Sequence, residues 1–89
     1  MTEPILVADD DSANRDLLEA VLTEAGYTVR LAEDGAAALV RVHQNPPALV
    51  LLDLLMPVMG GLKLCRTLKQ DRATADIPVL VVTAYAEPQ

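Results

Sequence analysis

The sequence predicts an α/β domain built on a parallel sheet with helices on both faces, and three short apolar runs carry that prediction. Residues 5–8 (Ile-Leu-Val-Ala), 48–52 (Ala-Leu-Val-Leu-Leu) and 79–82 (Val-Leu-Val-Val) are continuous hydrophobic segments of strand length, the pattern of strands buried on both faces. The first two run straight into acids, Asp9 and Asp53, and the third stops at Thr83. Helix-like stretches separate them. Strand and helix therefore alternate along the chain, which implies parallel pairing through right-handed crossovers.

After the first run, Asp11 or Ser12 can cap a helix by accepting from its unpaired first-turn N–H groups. Leu17, Leu18, Val21, Leu22 and Ala25 recur at helical spacing, and Gly26 is placed to end the helix. Residues 28–32 alternate Val29 and Leu31 with polar neighbours, as an outer strand does. A turn at Glu33-Asp34-Gly35 leads into a short alanine-rich helix over 36–44, closed by Asn45-Pro46-Pro47. A loop through Pro57 and Gly60-Gly61 follows the second apolar run. The segment 62–71 then reads as a helix that turns inward either Leu62, Cys65 and Leu68 or Leu64 and Leu68. The last apolar run, entered after Pro78, reads as a third buried strand.

The 89 residues make one domain, with no repeat, low-complexity tract or linker. A hydrophobic content of 52% supports a real core, and with no Trp, no Phe and two tyrosines it is almost wholly aliphatic. The net charge of −6 and the pI of about 4.4 oppose direct binding to nucleic acid or to an anionic membrane surface. Cys65, the single cysteine, forms no internal disulfide, which fits a reducing compartment. The N-terminus carries no signal pattern and the apolar runs are too short to span a bilayer, so a soluble, cytoplasmic protein is expected.

In a sheet of this kind, ligands bind beyond the carboxyl ends of the strands. Two strands deliver acids to that edge: Asp9, Asp10 and Asp11 after the first apolar run, and Asp53 after the second. Carboxylates that converge raise one another's pKa, and a hard divalent cation is the natural compensation. A carboxylate beside such a cation can attack a phosphoryl group and form an acyl phosphate.

The run Asp53-Leu54-Leu55-Met56-Pro57-Val58-Met59-Gly60-Gly61 resembles the loop after the phosphoacceptor in response-regulator receiver domains of two-component signalling. The segment 5–12 is similar to their first strand with its acid pair, and 79–84 to their fourth strand with its terminal hydroxyl. All three motifs stand in the family's order and span nearly the whole chain. The resemblance implies a flavodoxin-like parallel sheet of order 2-1-3-4 and a signalling module, not an enzyme. Asp53 would accept the phosphoryl group from a sensor histidine kinase or phosphotransfer protein. Asp10 and Asp53 would coordinate Mg²⁺, with Asp9 assisting through water and the Leu55 carbonyl as a further ligand. Thr83 and the Ala84 amide would contact the phosphoryl group.

The family ordinarily continues with a further helix, strand and helix, and with a lysine that contacts the phosphoryl group. Residues 1–89 thus read as one receiver domain, incomplete at its C-terminus, with an impaired phosphoswitch. Leu55 and Tyr85 stand where polar side chains often orient the hydrolytic water, so an acyl phosphate here is expected to be long-lived.

Two other readings stand beside this one. Asp9-Asp10-Asp11 literally satisfies the Asp-x-Asp signature of haloacid-dehalogenase-like phosphatases, with Asp9 as nucleophile, but that family's later motifs are absent. The alternative is an interaction module that works without phosphorylation. A dinucleotide-binding unit lacks its Gly-rich turn. Asp11 reads as a cap, Cys65 as core, Met56 and Met59 as loop packing, and His43 as a surface residue. A fourth strand at the sheet edge invites pairing with another chain. Self-association through that strand is therefore expected; sedimentation at high concentration checks it, and a clean monomer would contradict it.

Overall fold

In the computed structural model, which describes residues 3–53, 56 and 59–82, the predicted alternation of elements is present. The order is β1 (Ile5–Ala8), α1 (Ser12–Glu24), β2 (Val29–Ala32), α2 (Gly35–Gln44), β3 (Leu49–Leu52), α3 (Gly61–Gln70) and β4 (Val79–Val81). The strands form one parallel sheet ordered β2-β1-β3-β4, as the resemblance implied. β1 and β3 are the inner pair, and Ile5, Leu6, Val7 and Ala8 are all buried.

Side-chain alternation along these strands divides the apolar residues between two faces. On one face Leu6, Ala8, Val50 and Leu52 pack with Ala38 and Val42 of α2 and with Leu64 and Leu68 of α3. On the other, Ile5, Val7 and Leu51 pack against Leu18 and Leu22 of α1. The first cluster contains the fully buried side chains of α2 and α3. The second is thinner, because no residue of α1 is buried.

α1 and α2 start where the sequence offers a side-chain cap. The Asp11 carboxylate accepts from the Ala13 amide at 2.9 Å, and Asp34 accepts from Ala37 at 2.8 Å. The second cap lets α2 begin at Gly35, one residue before the expected start. α1 ends as predicted. Gly26 takes φ +100°, its amide bonds the Thr23 carbonyl, and the Tyr27 amide reaches back to Leu22.

Two expectations change, and the choice left open on α3 falls to its second alternative. Leu17 and Val21 belong to the α1 stripe, yet they are exposed, because α1 turns Leu18 and Leu22 to the sheet instead. On α3 the inward pair is Leu64 and Leu68, both at 0% exposure; Leu62 points outward and Cys65 is half-buried. The run at 79–82 reads as a buried strand, but Leu80, Val81 and Val82 are exposed. β4 is bordered by β3 alone among the described residues, and Leu80, in register with Leu51, lies on the sheet face that α1 covers only in part.

The turn from α3 to β4 is built on polar contacts that the hydrophobic pattern does not reveal. Thr74 is buried, and its hydroxyl donates to the Leu68 carbonyl at 2.6 Å. The Lys69 ammonium donates to the carbonyls of Ala75 and Ile77, at 3.1 and 2.8 Å, so this cation is spent on the turn. Asp71 accepts from the Ala73 amide and faces His43 across the α2–α3 seam, Nε2 to Oδ2 at 3.2 Å.

The other ring nitrogen of His43, Nδ1, lies 2.9 Å from the Leu39 carbonyl. Only the imidazolium donates from both nitrogens. The Leu39 carbonyl first, and then Asp71, therefore raise the His43 pKa above its ordinary 6.5. A raised folded-state pKa gives stability that is complete below the unfolded value and lost as pH rises through the folded one. Both side chains are nearly half exposed, at 47% and 44%, so the contribution is small. Wild type should exceed His43→Gln in urea midpoint most clearly below pH 6.5, with the gap closing above neutrality. A gap independent of pH would contradict the pairing.

Candidate functional site

The β1–β3 register places Ala8 beside Leu52, so the next residues, Asp9 and Asp53, leave the sheet side by side. Main-chain bonds hold both. The Asp9 amide donates to Ala32 at 3.1 Å, and the Asp53 amide donates to Ala8 at 3.0 Å. Asp10 follows directly, and one carboxylate oxygen from each of Asp9, Asp10 and Asp53 falls within 4.8 Å of the others. Asp9 and Asp53 are buried, at 5% and 7% exposure, whereas Asp10 is exposed.

The turn out of β1 is tied down through Asp9. Its Oδ1 accepts from the Asp11 amide at 2.9 Å, and its main-chain carbonyl accepts from the Arg15 guanidinium at 2.6 Å. Arg15 thus braces the backbone at Asp9 through its main-chain carbonyl. Burial raises the Asp9 pKa first, and the charges of Asp53 and Asp10 add to it; the Asp11 amide and the Asn14 side chain pull the other way.

The donor set suits a hard divalent cation: three carboxylates, all oxygen, two of them withdrawn from water beside one another. Asp9, Asp10 and Asp53, each named from sequence, are brought together. Asp11 caps α1 instead of joining them. Leu55, Thr83 and Ala84 lie outside the described residues, as does Tyr85. Met56 is buried in the core and Met59 packs against it, which is the packing role expected of both. Arg15 was not singled out from sequence; its position four residues after the Asp11 cap is the only local signal.

A second contact near the site is equally hidden. Met59 adopts φ +64°, a left-handed conformation that is uncommon for a long side chain. Its main chain lies against Gly35. A Cβ at position 35 would sit 2.9 Å from the Met59 Cβ and 3.1 Å from its carbonyl carbon, and would collide with the carbonyl oxygen.

Residues 5–89 match the family described as the response regulator receiver domain. The chain belongs to that family. The receiver domain is 48% identical over 84 residues to "Response regulator PleD" of Caulobacter vibrioides, covering 94% of this chain and 18% of that protein. Identity is 44% over 85 residues to the "DNA-binding dual master transcriptional regulator RpaA" of Synechocystis, covering 96% of this chain and 35% of that one. The chain therefore spans a fifth to a third of these curated relatives. Among solved structures, the N-terminal domain of a response regulator receiver protein from Methanoculleus marisnigri superposes with a TM-score of 0.90 at 38% identity. That match covers 99% of this chain and 72% of the other. CheY4 of Vibrio cholerae gives a TM-score of 0.89 at 27% identity, covering 99% and 73%.

The receiver domain is thus a module of two-component response regulators, with the flavodoxin-like sheet of that family. This membership displaces the haloacid-dehalogenase reading. No helix among the described residues is long and apolar enough to cross a membrane.

The electrostatics of the acid cluster yield a direct test. Asp9 has a raised pKa, so its ionisation costs stability, and that cost grows as pH rises through the carboxylate range. In chelator at neutral pH, Asp9→Asn should melt at a higher temperature than wild type, with the difference shrinking on acidification. A lower melting temperature at neutral pH would show that the carboxylate is structurally required.

Proposed function

We propose that this receiver domain accepts a phosphoryl group from a histidine kinase or phosphotransfer protein on Asp53, in a Mg²⁺-dependent reaction. The observation that carries this reading is the buried Asp53 carboxylate, held at a strand end against Asp9 and Asp10. A carboxylate oxygen of Asp53 attacks phosphorus, the bond from phosphorus to the donor's nitrogen breaks, and the electron pair leaves with the donor imidazole. Asp10 and Asp53 would hold the cation, with Asp9 assisting through water and the Leu55 carbonyl as a further ligand. When bound, Mg²⁺ neutralises charge that develops on the phosphoryl oxygens. Thr83 and the Ala84 amide contact the transferred group.

Burial supports Asp53 as nucleophile, because water is partly excluded and its oxygen is aimed at the same small volume as its neighbours'. Exposed Asp10 is open to solvent, as a ligand that first meets a hydrated cation should be. The same proposal includes a cytoplasmic location and no direct contact with nucleic acid or membrane by this acidic domain. It also includes self-association through β4, supported by the exposed Leu80 and Val81 on a strand paired, among the described residues, on one side.

Incubation with a small acyl-phosphate donor and Mg²⁺, followed by intact-mass measurement, tests the reading. Wild type should gain one phosphoryl group; Asp53→Ala, and wild type in chelator, should gain none. Wild type that binds Mg²⁺ yet stays unmodified would favour an interaction module that works without phosphorylation.

A further inference from the structure

The loop leaving Asp53 is held at points some distance from the acids. Its start is fastened by the Asp53 amide on Ala8, Met56 is buried in the core, and Met59 meets the first turn of α2 at Gly35. Left-handed backbone at a non-glycine residue persists where its surroundings over-determine it. Here the surroundings are a helix that cannot yield. Ala38 and Val42 of α2 are at 0% exposure in the core, and the Asp34 cap fixes its first turn. The absent side chain of Gly35 is what lets the Met59 main chain come this close.

We propose that Gly35 is a positioning residue for the acid cluster: it fixes where Met59 sits, on the connection that begins at Asp53. A side chain at 35 must displace the Met59 carbonyl, because the atom in the way is main chain and not the tip of a flexible group. Met59 follows Asp53 by six positions in the sequence, and Met56, buried in the core, stands between them. The inference rests on the metal-site reading above and adds a residue of α2 to it.

The test uses Mg²⁺ alone as probe, titrated calorimetrically, beside melting in chelator and amide chemical shifts of the metal-free protein. Gly35→Ala should weaken Mg²⁺ binding roughly ten-fold, the scale seen for residues that orient ligands without touching the ion. Adding Met59→Gly should recover most of that loss, since glycine carries no Cβ and adopts other backbone angles freely. A lower melting point with unchanged Mg²⁺ affinity would make Gly35 merely structural and overturn the proposal. Should Gly35→Ala fail to fold, the double variant Gly35→Ala/Met59→Gly decides: it should fold and bind Mg²⁺ near wild-type affinity, and a folded double variant that stays roughly ten-fold weaker would overturn the idea. If wild type itself binds no Mg²⁺, the site reading fails. The seam is then judged by the metal-free amide shifts: a perturbation from residue 35 that reaches Asp53 and Met56 upholds it, and one confined to the neighbours of 35 and 59 overturns it.

Discussion

The pairing of β1 with β3 is the constraint on which the rest of the molecule depends. Parallel register sets Ala8 against Leu52, and the Asp53 amide then bonds the Ala8 carbonyl. Two acids that repel each other are thereby held together by a ladder neither can leave. A slip of one residue would break this pairing and also send Leu6 and Val50 to the opposite face, out of the cluster they share with Leu64 and Leu68. The apolar core therefore enforces the electrostatic arrangement. Burial on two faces outweighs the cost of concentrating negative charge at the strand ends, a cost that a bound cation would reduce.

The two faces of the sheet are unequal. Beneath α2 and α3 the packing is closed, with Ala38, Val42, Leu64 and Leu68 wholly withdrawn from solvent. On the α1 side, Leu18 and Leu22 cover Ile5, Val7 and Leu51, while Leu17, Val21 and Leu80 remain exposed. The acid cluster lies at the ends of the inner strands, its first turn braced by Arg15 on α1. Its loop is held by Met56 and Met59 on the better-packed side.

Much of this was legible in the sequence because it depends on local pattern. Uninterrupted runs such as Leu49–Leu52 reveal doubly buried strands, Asp11 and Gly26 mark helix ends by their own chemistry, and acids that interrupt apolar runs mark the edge where they converge. What escaped depends on contacts between distant segments. Whether α3 turns Leu62 or Leu64 inward is a rotation that periodicity leaves open and α2 decides. The exposure of Leu80 and Val81 depends on what borders the strand, which no property of the two side chains themselves can state. The Arg15 bond to Asp9 and the fit of Met59 on Gly35 are matters of distance in space, and composition is silent on them.

The placement of the acids on inner strands has a consequence for how the domain fluctuates. Edge strands are the first to open in native-state exchange, because each has a single hydrogen-bonded neighbour and more solvent contact. Among the described residues β2 and β4 occupy those positions, and β4 carries little buried surface. Asp9 and Asp53 extend β1 and β3, so their mutual placement belongs to the slowest-exchanging unit of the sheet. Partial opening at either margin would leave the carboxylates in register. The domain can thus breathe at its margins while its charge centre stays assembled, and the two lose structure together only when the whole sheet unfolds.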